Sequence, residues 1–130
     1  MKAILYDVKK TKNVSVVDIN FELDTFYKLV QCNTIDIVKS KVNGIDVEII
    51  VDDEGLFVKD PILSCVRKSS EFDKFVPALY GNLLITGPAD REGDLTALSD
   101  DVIEILVEQG FIQVVNPKTR QIHNVLVIDQ

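Results

Sequence analysis

The stretch from Asn43 to Asp52, "NGIDVEIIVD", constrains this chain more than any other. Ile45, Val47, Ile49 and Val51 recur at a period of two, with Asp46 and Glu48 opposite them. That alternation is the pattern of a strand with one buried face. Asn43-Gly44 immediately before it tolerates the two positive φ angles of a type I′ turn, so the strand is the second arm of a hairpin. Ile35 and Ile37 share one face of the first arm. A second turn, Asp52-Asp53-Glu54-Gly55, leads to Leu56–Val58, which reads as a further short strand of a meander.

Other segments follow from the same periodicities. Lys2 to Val8 and Val14 to Ile19 read as two strands joined by the polar "KKTKN". Leu23, Phe26, Tyr27 and Val30 then fall on one helical stripe, with Asn20 as a cap and an end between Gln31 and Asn33. Asp60 to Pro77, with prolines near both ends, gives no clean period and reads as a covering loop with one irregular helical turn. Leu79 to Thr86 is a strand stopped by Gly87-Pro88. Ser99 caps a second helix whose first turn carries Asp100 and Asp101, favourable against the helix dipole. Val102, Ile103, Leu106 and Val107 supply its buried side, and Gly110 ends it. Phe111–Val115 and Val125–Ile128, around "NPKTR", are two closing strands. The sum is an α+β fold: a mainly antiparallel sheet of six to seven strands with two short helices packed on it. A chain of 130 residues can bury one real core, so residues 1–130 are expected to form a single globular domain.

Charge narrows the partners. The chain carries 21 acidic and 14 basic residues, a formal charge of -7. Ile45 to Asp60 holds six carboxylates against Lys59, and Asp90 to Glu108 holds seven against Arg91. Such acidity disfavours direct nucleic-acid binding, which depends on neutralising phosphates. It suits a basic protein partner, or plain solubility. No apolar run exceeds four residues, so no membrane span is expected. The N-terminus lacks the pattern of a signal peptide, which gives a cytoplasmic expectation.

Catalytic and metal chemistry find little to stand on. His123 lies in the alternating C-terminal segment with no acid or nucleophile beside it. Cys32 and Cys65 have no neighbouring histidine and read as buried small hydrophobes. "DREGD", Asp90 to Asp94, has the acidity of a cation loop without the ligand spacing of an EF-hand. Neither a P-loop nor a GxGxxG context is present. The expectation is a protein that is not an enzyme and needs no cofactor. The lysines Lys9, Lys10 and Lys12 read as a hairpin rim. For partner contact the candidates are Asp90, Glu92, Asp94, Asp100 and Asp101, together with Phe72 and Phe75, two aromatics among charges.

The N-terminal strand pair, "LDTFYKLVQCNTIDIV", the "VDDEGL" turn and "LYGNLLITGPADREGDLTALSDDVIEIL" together resemble Domain of Unknown Function 3846 from about Lys2 to Leu106. "VKDPILSCV" stands where that family's asparagine-bearing segment follows the glycine turn. Residues from about 107 to 130 form an extension beyond the common pattern, with the two closing strands. The resemblance implies a small accessory protein of phages, plasmids and other mobile elements, and carries no catalytic residues.

Three function classes remain. The leading one is a noncatalytic protein that binds a host protein, with counter-defence as one purpose. A small-ligand or sequestering protein with a pocket beneath Asp60 to Pro77 is the alternative, as is an acidic nucleic-acid mimic blocking a basic site. An enzyme would require carboxylates or cysteines that converge with shifted pKa values. An apolar edge left by the C-terminal strands would make a homodimer the first self-association to test.

Overall fold

The computed structural model describes residues 1–8, 13–71 and 74–130, with the backbone alone at residue 13. Elements among the described residues run, in chain order, β1 (Lys2–Asp7), β2 (Asn13–Asp18), α1 (Leu23–Val30), β3 (Ile35–Val42), β4 (Ile45–Asp52), β5 (Leu63–Lys68), β6 (Phe75–Tyr80), β7 (Leu83–Thr86), α2 (Asp100–Gln109), β8 (Phe111–Val115) and β9 (Ile122–Ile128). The fold is α+β, with mostly antiparallel strands and two short helices, as expected. Its strands divide between two sheets rather than forming one of six or seven. A first sheet has the order β2-β1-β7-β4-β3, and a second has the order β6-β5-β9-β8. Every pairing is antiparallel except β5 with β9.

The β3–β4 hairpin is the one read from sequence. It pairs from Ile35 opposite Asp52 to Val42 opposite Ile45. Asn43 and Gly44 take φ of 50° and 79°, which is the type I′ requirement for two positive φ angles.

Both faces of the first sheet are covered. On one side Tyr6, Val47, Ile49, Leu83 and Ile85 pack against Cys65, Leu126 and Ile128 of the second sheet, and against Leu98, Ile103 and Leu106 around α2. On the other side Ala3, Ile50 and Leu84 lie under Phe26 and Val30 of α1. Double coverage explains the unbroken "IIV" of β4, where two faces need apolar residues. It also buries Glu48, which shares the α1 side of the strand and accepts a 3.4 Å bond from the Ala89 N–H. Full burial of each such aliphatic side chain stabilises the fold by roughly 1.5–3 kcal/mol.

Two buried polar groups fix the layers to each other. The Tyr6 hydroxyl donates to the Asn124 carbonyl of β9, and its ring meets Phe111 edge-on at 5.7 Å. Asn82 is fully buried. Its Oδ1 accepts from the Val8 N–H at 3.0 Å, and its amide reaches the Leu29 carbonyl at the end of α1.

Several local expectations are revised. Glu22 occupies the N-cap of α1 with no side-chain bond, so Asn20 does not cap it. Ser99 does cap α2, accepting from the Val102 N–H, but Val107 is exposed. Asp60 to Pro77 is no covering loop: it contains β5 and the first half of β6. Register shifts around Cys65 break the pairing, and such irregularities erase the period-two signal that marks a strand. Gly81, at φ 85°, splits the expected strand Leu79–Thr86 into the end of β6 and β7. Lys9, Lys10 and Lys12 lie outside the described residues.

Candidate functional site

Beyond β4 the chain makes a turn that holds its apolar side chains outward. The Asp52 carboxylate accepts from the Glu54 N–H at 2.9 Å. The Asp52 carbonyl accepts from the Gly55 N–H, and the Glu54 carbonyl from the Phe57 N–H. A further bond, from the Asp53 N–H to the Thr34 carbonyl, ties the loop to the start of β3. Gly55 is pressed so closely on β6 that a Cβ there would lie 2.6 Å from the Tyr80 carbonyl oxygen. Only glycine lets the loop pass at that distance.

The outcome is not the short strand expected at Leu56–Val58. Among the described residues no strand pairs with it, and the segment is turns and bends instead. Leu56 is 56% exposed, Phe57 84% and Val58 41%. Single exposed apolar residues are ordinary, but three in a row on a hydrogen-bonded turn form a patch. Asp53, Glu54, Lys59 and Asp60 around them are all exposed. Three clefts open beside this loop. One of 270 Å³ lies between Phe57, Val58 and the Gln31-Cys32-Asn33 end of α1. Another of 400 Å³ lies between Val58, Lys59, Asp60, Ile62 and Gly81. The third, 160 Å³, separates Leu56 from Asp36 and Tyr80.

The residues nominated from sequence sit elsewhere. Asp90, Glu92 and Asp94 come together, with carboxylate oxygens within 4.8 Å of one another. This turn satisfies itself: the Asp90 carboxylate accepts from the Glu92 N–H at 2.9 Å and the Asp94 N–H at 3.0 Å. Gly93, at φ 86°, turns the chain back so that the Asp90 N–H donates to the Asp94 carbonyl. Asp100 pairs with Lys2 at 2.6 Å, and Asp101 is exposed at the head of α2. Phe75 opens β6 in the second sheet, half exposed and paired with Lys68. Phe72 lies outside the described residues. Gly81, just before β7, lines a cleft of the 53–60 loop, while the acidic turn follows the end of β7. The two loops therefore occupy opposite ends of that strand.

Sequence reasoning missed the 53–60 patch because "LFV" was assigned to a sheet. The available signal was its setting: three apolar residues boxed between Gly55 and Lys59-Asp60-Pro61 stand at the lower limit of strand length.

Two ionisable side chains of the core, Tyr6 and Cys65, are held neutral. Burial pushes the Cys65 thiol up to about 12 and the Tyr6 hydroxyl up to about 12, away from the range of an activated nucleophile or base. His123 places Nε2 3.2 Å from the Leu63 carbonyl. Cys32 is half-buried and shares the cleft with Phe57. Among the described residues, no helix is long and apolar enough to cross a membrane.

No curated protein and no solved structure matches this chain. The family model for the domain of unknown function DUF3846 matches residues 1–112. That span includes the 43–44 hairpin, the 53–60 loop, the acidic turn and α2, and it stops inside β8. Beyond it, β9 lies in the interior of the second sheet and contributes Leu126 and Ile128 to the core. With most of its length covered, the chain belongs to the DUF3846 family.

Proposed function

We propose that this protein is a noncatalytic binding protein of a phage or other mobile element, acting in the bacterial cytoplasm on a host protein, with counter-defence as its purpose. The 53–60 loop is its contact surface. One observation carries this reading: Leu56, Phe57 and Val58 project into water from a backbone fixed by hydrogen bonds and by the Gly55–Tyr80 approach. A pre-ordered aromatic anchor binds with little loss of conformational freedom. The exposed carboxylates of Asp53, Glu54 and Asp60 around it suit a partner with an apolar pocket and a basic rim.

The test is affinity capture from host lysate at low and high salt, with wild-type protein and Phe57→Ser in parallel. Apolar contact predicts a stoichiometric protein that stays bound at high salt and is lost with Phe57→Ser. Capture that is unchanged by Phe57→Ser would exclude this surface. Release by salt alone, from a protein that handles nucleic acid, would favour charge mimicry instead. A small-ligand reading is favoured by the 400 Å³ cleft beside Val58 and Ile62, a volume within the usual range of ligand sites. It expects metabolites to raise the melting temperature of the purified protein.

A further inference from the structure

We propose that the protein pairs with a second copy of itself through the free edge of β8, in an antiparallel register centred on Gln113. The inference does not rest on the contact role proposed for the 53–60 loop. Four strands edge the two sheets: β2, β3, β6 and β8. β3 carries Asp36, Lys39 and Lys41, β2 ends in Asp18, and β6 contains Pro77 and shifted register. Charges, proline and bulges are the usual means by which an edge avoids pairing. β8, "FIQVV", has none of them, and its register with β9 is unbroken.

The direction of its backbone follows from two bonds. The Val127 N–H donates to the Gly110 carbonyl, and the Asn116 N–H to the Gln121 carbonyl. In the β8–β9 register these are hydrogen-bonded pairs, so Ile112 and Val114 also turn their backbone groups toward β9. Phe111, Gln113 and Val115 turn theirs outward. A two-fold axis through Gln113 sets Gln113 opposite Gln113, and Phe111 opposite Val115 of the second copy. Every outward-facing residue then meets another outward-facing one, and each facing pair exchanges two bonds. This register also places Val115, 60% exposed, beside Phe111 of the second copy, next to Ile122, 62% exposed.

Charge favours the same occupant. Before β8, α2 carries Glu104 at its middle and Glu108 in its last turn, where there is no basic residue. After β8, the turn carries Arg120 and Lys118, both exposed, with Lys118 4.0 Å from the Asp60 carboxylate of its own copy. An antiparallel two-fold brings the acidic end of each copy toward the basic end of the other. Self-pairing thus overcomes locally what a net charge of -7 on each copy opposes.

Sedimentation velocity of the full chain over about a hundredfold range of concentration tests this. The expected result is a reversible dimer at the high end that dissociates on dilution. Gln113→Pro removes an N–H that β9 does not use, so it should melt with wild type yet remain monomeric. If Gln113→Pro fails to fold, charge reversal decides. Glu108→Lys and Lys118→Glu should each weaken the dimer several-fold, and the double variant should restore it. A monomer at every concentration overturns the proposal, as does a dimer indifferent to these substitutions.

Discussion

"DDEGL" at Asp52 and "DREGDL" at Asp90 begin almost alike, yet they fold to opposite ends. In both, an aspartate carboxylate accepts the N–H two residues on, and a glycine follows the glutamate. The difference lies in the glycine. Gly93 adopts a positive φ, closes the turn on Asp90, and returns Leu95 to pack with Leu84 under the first sheet. Gly55 takes no such angle. It runs flat against the Tyr80 carbonyl, and the next three apolar residues face water. The denser charge sits on the turn that bonds to itself; the exposed apolar residues sit on the other.

Substitutions can separate the two loops, beginning with the largest effect. Phe57→Ser should lower affinity for the partner by about thirtyfold or more, the scale of a hot spot of about 2 kcal/mol. Its melting temperature should match wild type, because the ring contributes little to the fold. Gly55→Val meets the Tyr80 carbonyl and should cost about 1–3 kcal/mol in denaturant unfolding, with binding lost because the loop is displaced. Asp90→Ala leaves two turn N–H groups without their acceptor and should cost about 1 kcal/mol, with binding intact. Glu92→Gln combined with Asp94→Asn should change stability by no more than about 0.5 kcal/mol. Capture of the partner should also be unaffected. Any substantial loss there would give the acidic turn the role assigned here to the loop.

What was legible in sequence was local. Asn43-Gly44 specifies its hairpin because the turn demands φ > 0 at both positions, and Ser99 specifies the start of α2 because a cap bonds within its own turn. The second sheet was hidden for two reasons. Its β5–β6 hairpin is irregular around Cys65, and β5 joins β9 in parallel across about half the length of the chain, a pairing no local pattern encodes. The α+β class survived because it depends on element types; the two-sheet division depends on which strands meet. At the site, acidic clustering pointed to Asp90, Glu92 and Asp94. It could not reveal that Asp90 is already engaged by its own backbone. Conversely, "LFV" has the composition of a strand, and its exposure follows from Gly55 and Tyr80, which are distant in sequence.

The most direct test is photo-crosslinking in host lysate from a benzophenone side chain placed at position 57, with the same probe at position 92 as the contrast. This account expects one predominant host protein crosslinked from position 57 and none from position 92. Adducts from position 92 alone, or the same adducts from both, would contradict the assignment of binding to the 53–60 loop.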